Sequence, residues 1–166
     1  PLDFPADLVG ISVITGTARR AYALADHFRG RGIPVVLGGV HVTAMPEEAR
    51  QYADSVVIGM SERTWPRLIR DFRRGRLQST YREEEPSGGV AEGLPTPRWD
   101  LLRRSGYMSP YTVQFTRGCT HACDFCMVPV IWRRFQRRPV GDILRDIRAV
   151  PGKRFAVSDV SPFEDE

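Results

Sequence analysis

The chain has 166 residues, 42% of them hydrophobic, and a formal net charge of +4. That length allows one domain or two small ones with a packed core. No apolar run approaches the roughly 18 residues of a membrane helix, which argues against a membrane span and points to the cytoplasm. Lys153 is the only lysine, so the basic charge is almost all arginine. The arginine-rich stretches 67–76, 103–104 and 133–138 are mixed with acids and read as solvated helix faces, not as a nucleic-acid surface. A start at Pro1 and an acidic end, PFEDE, suggest a fragment of a longer protein, and the segment alone is expected to be catalytically inactive.

The first half alternates apolar runs with amphipathic stretches. Leu8 to Ile14 reads as a buried strand, and Ala18 to Arg29 as a helix with Ala21, Leu24, Ala25 and Phe28 on one face. Gly30 and Gly32 end it. Pro34 to Leu37 is a second strand, closed by Gly38 and Gly39. Pro46 to Tyr52 reads as a short helix with proline at its first position. Ser55 to Ile58 is a third strand, followed by Gly59. Ser61 to Arg74 is a helix with Ser61 as cap and Trp65, Leu68, Ile69 and Phe72 as its stripe. This order predicts an α/β fold, a parallel Rossmann-like sheet covered on both faces.

A site follows from that topology. Ser12, Thr15, Gly38, Gly39 and Gly59 fall at or just past the carboxyl ends of three successive strands. In an open parallel sheet these ends share one edge, where ligands bind. Glycines let a ligand approach the backbone, and the hydroxyls can hydrogen-bond it. Plain turn chemistry would also place glycines there.

Leu77 to Pro110 carries an acidic triplet, Glu83 to Glu85, then many prolines and glycines. It reads as a linker, with Trp99, Leu101 and Leu102 as anchors. The expected division is residues 1–76, a linker 77–110, and a second domain 111–166. Thr112 to Thr116 is a strand, Val140 to Val150 a helix, and Arg154 to Val157 a strand ending at Ser158 and Asp159. A strand, a loop, a helix and a parallel strand open a β/α barrel, whose chemistry sits at the carboxyl ends of its strands.

The loop between them is RGCTHACDFCMVP, Arg117 to Pro129. Cys119, Cys123 and Cys126 are the only cysteines, spaced C-x3-C-x2-C. Thiolates this close can each hold one iron of a cubane cluster, leaving the fourth iron open to a substrate. Gly118 permits a tight turn before the first of them. Two other readings compete. One is a zinc site with His121 as fourth ligand. The other is a buried helical stripe, since such spacing shares one helix face. A disulfide framework is disfavoured by the odd count.

With Phe125 just before the last cysteine, the motif resembles the signature of the radical S-adenosylmethionine superfamily. The resemblance implies that Cys119, Cys123 and Cys126 hold a 4Fe–4S cluster whose free iron is chelated by S-adenosylmethionine. Phe125 would then lie near the adenine, and Asp159 near the methionine amine; a strand-ending aspartate can equally cap a helix. One electron would cleave the sulfonium to a 5′-deoxyadenosyl radical. Arg137 and Arg138 resemble the basic residues before the first barrel helix, although a solvated face suits them better.

The segments VGISVIT, VVLGGVHVTAMPEEA and SVVIGMSERTWPRLI resemble the later part of a cobalamin-binding domain fused in front of a radical enzyme. By that resemblance Ser12, Gly38 and Gly39 would contact the nucleotide tail of cobalamin, and Thr15 and Gly59 complete the expected cobalamin site. The D-x-H-x-x-G segment that can supply a histidine to cobalt is absent, and Gly59-Met60-Ser61-Glu62 departs from the usual G-E-G-E. His41 could substitute as a cobalt ligand, but a histidine after a Gly-Gly turn is more often a hydrogen-bonding loop residue. The implied function is methylation at an unactivated carbon or a ring-forming rearrangement of a small molecule, with flavodoxin or ferredoxin as reductant. The rivals are a radical enzyme whose first domain no longer binds cobalamin, and a non-catalytic Rossmann-like module with a metal knuckle. A methylthiotransferase is disfavoured, because residues 1–118 carry no cysteine.

Overall fold

The computed structural model describes residues 4–83, 93–102, 106–107, 109, 111–132, 134–161 and 164. The acidic residues Glu84 and Glu85, the glycines and prolines of 86–92, Pro110, and Arg103, Arg104 and Arg133 lie outside the described residues. The chain forms two compact units, Pro1–Glu85 and Pro86–Glu166.

In the first unit, β1 (Val9–Ser12), β2 (Val35–Gly38), β3 (Ser55–Ile58) and β4 (Thr80–Arg82) form one parallel sheet in that order. The helices are α1 (Ala18–Arg29), α2 (Val40–Ala44), α3 (Pro46–Ala49) and α4 (Thr64–Arg73). Side chains alternate across a strand, so each strand feeds both faces. Val35, Leu37, Val56 and Ile58 pack on one face with Ala21, Ala25 and Phe28 of α1, Val42 of α2 and Ala49 of α3. Val36 and Val57 pack on the other with Leu68 of α4 and Tyr81 of β4. All four residues of β3 are buried, as befits a strand covered on both faces.

Three sequence expectations change here. The run expected as a linker opens with a strand. One fully buried residue, Tyr81, makes Thr80–Arg82 an edge of the sheet, and its phenol donates to Asp71 at 3.0 Å. A single apolar residue carries no period, so the pattern was silent. Val40–Ala44, which the sequence pattern assigned to no element, forms α2. Helix α4 starts at Thr64 and has no side-chain cap; Ser61 contributes only its carbonyl, to the Trp65 N–H at 2.8 Å.

In the second unit, β5 (Thr112–Val113) pairs in parallel with β8 (Ala156–Val157). The chain between them includes β6 (Thr116–Arg117), α5 (Val128–Ile131), β7 (Gln136–Arg137) and α6 (Val140–Ala149). Strands β6 and β7 form a short antiparallel ribbon that closes the base of the cysteine loop. The core is small: Trp99, Tyr111, Val113 and Val150, with Ile143 and Ile147 of α6 against it. Trp99 is the anchor expected of the linker, whereas Leu101 is 71% exposed and anchors nothing.

The strand expected over 112–116 breaks in two. Asp159 accepts the main-chain N–H groups of Phe115 and Thr116 at 2.8 and 2.7 Å, which takes them out of a ladder. Arg138 also departs from expectation. It is 7% exposed, not solvated, and its guanidinium donates to Asp146 at 2.7 Å and to the Gln114 carbonyl at 2.8 Å. Asp146, on the inner side of α6, is 2% exposed and receives the Thr96 hydroxyl as well. A buried carboxylate needs a counter-charge, and Arg138 supplies it.

Candidate functional site

The first cluster lies at the carboxyl edge of the four-stranded sheet. Ser12 ends β1 and stands in register with Gly38, which ends β2. The Val13 N–H donates to the Gly38 carbonyl at 2.8 Å, and the Val13 carbonyl accepts the His41 N–H at 3.1 Å. Gly39 therefore lies directly against the turn that leaves β1. Its φ is +95° and its ψ −176°, a region essentially reserved for glycine. A Cβ there would fall 2.8 Å from the Val13 nitrogen and oxygen and 2.9 Å from the Ser12 Oγ. Gly59 follows β3, and its N–H donates to the Thr43 hydroxyl at 3.1 Å. Thr15 opens a short turn after β1, with an exposed side chain.

The structure thus gathers Ser12, Thr15, Gly38, Gly39 and Gly59 on one edge, with the hydroxyl-bearing residues Ser12 and Thr15 exposed. It also shows what the sequence reading missed. Thr43 accepts from Gly59 and donates to the Gly39 carbonyl at 2.9 Å, so one hydroxyl bridges the ends of two strands. Its signal was available: Thr43 lies four residues after Gly39, one helical turn, but only if α2 is seen as a helix.

His41 does not face this edge as a free ligand. It is 7% exposed, with Nδ1 3.2 Å from the Thr15 hydroxyl and Nε2 3.0 Å from the Tyr22 phenol. The hydrogen-bonding reading of His41 stands, although from a helix. Glu48 lies 3.6 Å from the same Nε2. Burial, together with the Glu48 carboxylate, pushes the Tyr22 phenol up to about 12. Tyr22 also stacks on Tyr52, ring centroids 4.1 Å apart.

The second cluster is the cysteine loop, which leaves β6. Residues 119–126 are not helical, so the buried-stripe reading fails. Gly118 turns with φ +83°, and a Cβ there would fall 2.6 Å from the Arg134 carbonyl. The thiols of Cys119, Cys123 and Cys126 are free, the second exposed and the others half-buried. A turn joins two of them, with the Cys126 N–H donating to the Cys123 carbonyl at 3.0 Å. Phe125 is 91% exposed. Among the described residues, no group of three histidine, cysteine, aspartate or glutamate side chains is gathered to hold a metal ion.

Glu164, read in the sequence only as part of an acidic tail, meets this loop. Its carboxylate accepts the Cys119 thiol at 3.0 Å and the Thr120 N–H at 2.6 Å. Hydrogen bonds from Ser161, Cys119 and Thr120 hold the Glu164 carboxyl down at about 2, and the same contact pushes the Cys119 thiol up. His121 is 3.6 Å from Glu164. Asp159 is committed to the backbone of Phe115 and Thr116 and to the Thr116 hydroxyl at 2.7 Å. It braces the start of the loop and caps no helix among the described residues.

Residues 2–69 match the B12 binding domain, and the parallel Rossmann-like sheet of the first unit is consistent with it. More particular likenesses extend further along the chain. It is 36% identical over 127 residues to the bacteriochlorophyllide d C-8(2)-methyltransferase of Chlorobaculum tepidum, covering 74% of this chain and 28% of that protein. It is 30% identical over 155 residues to the bacteriochlorophyllide d C-12(1)-methyltransferase of the same organism, covering 90% of this chain and 34% of that protein. A hopanoid C-2 methylase of Rhodopseudomonas palustris is 27% identical over 109 residues, 63% of this chain and 20% of its own. The chain therefore spans about a third or less of the length of these relatives. No helix among the described residues is long and apolar enough to cross a membrane.

Proposed function

We propose that this chain is the cofactor-bearing part of a cobalamin-dependent radical S-adenosylmethionine methyltransferase. The observation that carries the reading is a pairing within one chain. A sheet edge of the B12 binding type is followed by three free thiols in one short loop, and the chain is similar to proteins named as methyltransferases. Those names favour methyl transfer over a ring-forming rearrangement. The cluster would supply an electron to the sulfonium, and the cobalamin a methyl group.

The residues present suit both groups. At the sheet edge, the exposed Ser12 and Thr15 hydroxyls would donate to the nucleotide tail of the cobalamin. The bare backbone of Gly38, Gly39 and Gly59 would let that tail lie close. In the loop, three thiols form a donor set for three irons of a 4Fe–4S cluster and leave the fourth open. Phe125, exposed next to Cys126, would offer its ring to the adenine. Asp159 would act there mainly by holding the loop's first strand, since its oxygens already accept three donors. A small-molecule substrate and a flavodoxin- or ferredoxin-type reductant complete the proposal.

Anaerobic reconstitution with iron and sulfide, followed by metal analysis, tests the cluster. We expect close to four irons and four sulfides per chain and an absorbance change on adding S-adenosylmethionine. Zinc in place of iron, or a cluster indifferent to S-adenosylmethionine, would overturn it. Titration with hydroxocobalamin tests the sheet edge separately, through the shift in its visible spectrum on binding.

A further inference from the structure

We infer that Thr43, seconded by His41, is a positioning residue that locks the three strand-end turns of the first unit into one rigid floor. The ligand laid on that floor is the cobalamin tail of the reading above, and only the ligand's identity rests on that reading.

Neither side chain has a place among the residues that would touch the cofactor. Thr43 sits on α2 and points its hydroxyl back at the strand ends, giving its proton to the Gly39 carbonyl at 2.9 Å and taking that of the Gly59 N–H at 3.1 Å. These are the glycines after β2 and β3. A glycine has no side chain with which to hold its neighbours, so a turn built on one is free unless another group fastens it. The turn after β1 is fastened by His41. Its N–H donates to the Val13 carbonyl at 3.1 Å, and its ring lies between the Thr15 hydroxyl at 3.2 Å and the Tyr22 phenol at 3.0 Å. One five-residue helix therefore ties all three turns. Binding that finds its backbone already placed loses less conformational freedom, and affinity rises accordingly.

The test needs no loaded enzyme. Amide hydrogen exchange would be followed in the unliganded 166-residue chain with Thr43→Val, which keeps the shape and removes the hydroxyl, and with Thr43→Ser, which keeps the hydroxyl. The expected result is that Gly59 exchanges about tenfold faster in Thr43→Val, the loss of one part-buried hydrogen bond. Amides of α1 and β3 should hold their rates, and Thr43→Ser should restore Gly59. Hydroxocobalamin should bind about tenfold more weakly to Thr43→Val and within about twofold of normal to Thr43→Ser. An unchanged Gly59 rate overturns the clamp, and so does a rise shared equally by the core amides, which would mean general loosening. If the parent chain itself ignores hydroxocobalamin, the cobalamin reading fails, while the Gly59 rates still decide the role of Thr43.

Discussion

The two units prepare their candidate sites in opposite ways. In the first, the sheet edge is assembled before any ligand arrives: backbone and side-chain hydrogen bonds from α2 join turns that leave three strands, over a core that fills both faces of the sheet. In the second, the cysteine loop stands on a ribbon of two-residue strands and a core of four buried residues among those described, and its thiols are not drawn together. A site made of backbone can be fixed by the fold. A site made of thiols becomes a ligand set only on losing its protons, so a metal bound there would do the final organising.

The comparison can be broken most directly at the cysteines. Replacing any one of Cys119, Cys123 or Cys126 by serine should abolish retention of iron and sulfide after anaerobic reconstitution and desalting. The melting of the first unit should stay where it was. A Cys123→Ser chain that still held a full complement of iron would sink the ligand assignment.

The next largest effect is expected at the buried ion pair of the second unit. Asp146→Ala leaves the Arg138 guanidinium buried without its carboxylate, a loss of about 3–5 kcal/mol. So small a core should not survive that. Amide exchange should show α6 unprotected while α1 and β2 stay protected; loss of protection in both would show that the units fold as one.

In the first unit, Gly39→Ala forces a Cβ to within 2.8 Å of main-chain atoms at a backbone angle that side chains avoid. Strain and overpacking together should cost about 3 kcal/mol, read as a lower denaturation midpoint. If Gly39→Ala were neutral, the edge would be looser than its geometry implies.

The smallest effect is a pH dependence. Tyr22 has its phenol raised from 10.0 to about 12 in the folded chain, chiefly by burial. A group whose folded value is raised stabilises the fold fully below its unfolded value, and that contribution fades as pH climbs from about 10 to 12. Tyr22→Phe should flatten the alkaline limb of stability in that window, with little change at neutral pH. Absorbance near 295 nm should show one tyrosine fewer titrating late.

Much of this was legible in the residues. The strands at Val9–Ser12, Val35–Gly38 and Ser55–Ile58 are runs of β-branched residues closed by small ones, and α1 carries its apolar stripe at helical spacing. Periodicity reports local burial, and these elements are buried in a periodic way. What it could not report were elements whose reason to exist lies elsewhere in the chain. Helix α2 is too short for a period and is held by bonds to the ends of β1, β2 and β3. Strand β4 depends on Tyr81 finding a slot between α4 and the sheet.

Residue types and their spacing therefore determined the sheet, the glycine-bearing strand ends and the gathering of three thiols in one short loop, because each is a property of a few neighbours. Tertiary structure alone decided that His41 is buried against Tyr22, that Arg138 pairs with Asp146, and that Thr43 spans two turns. Such partners lie 4 to 19 residues apart in these cases, and a polar side chain declares its role only when the fold shows which unsatisfied group it meets.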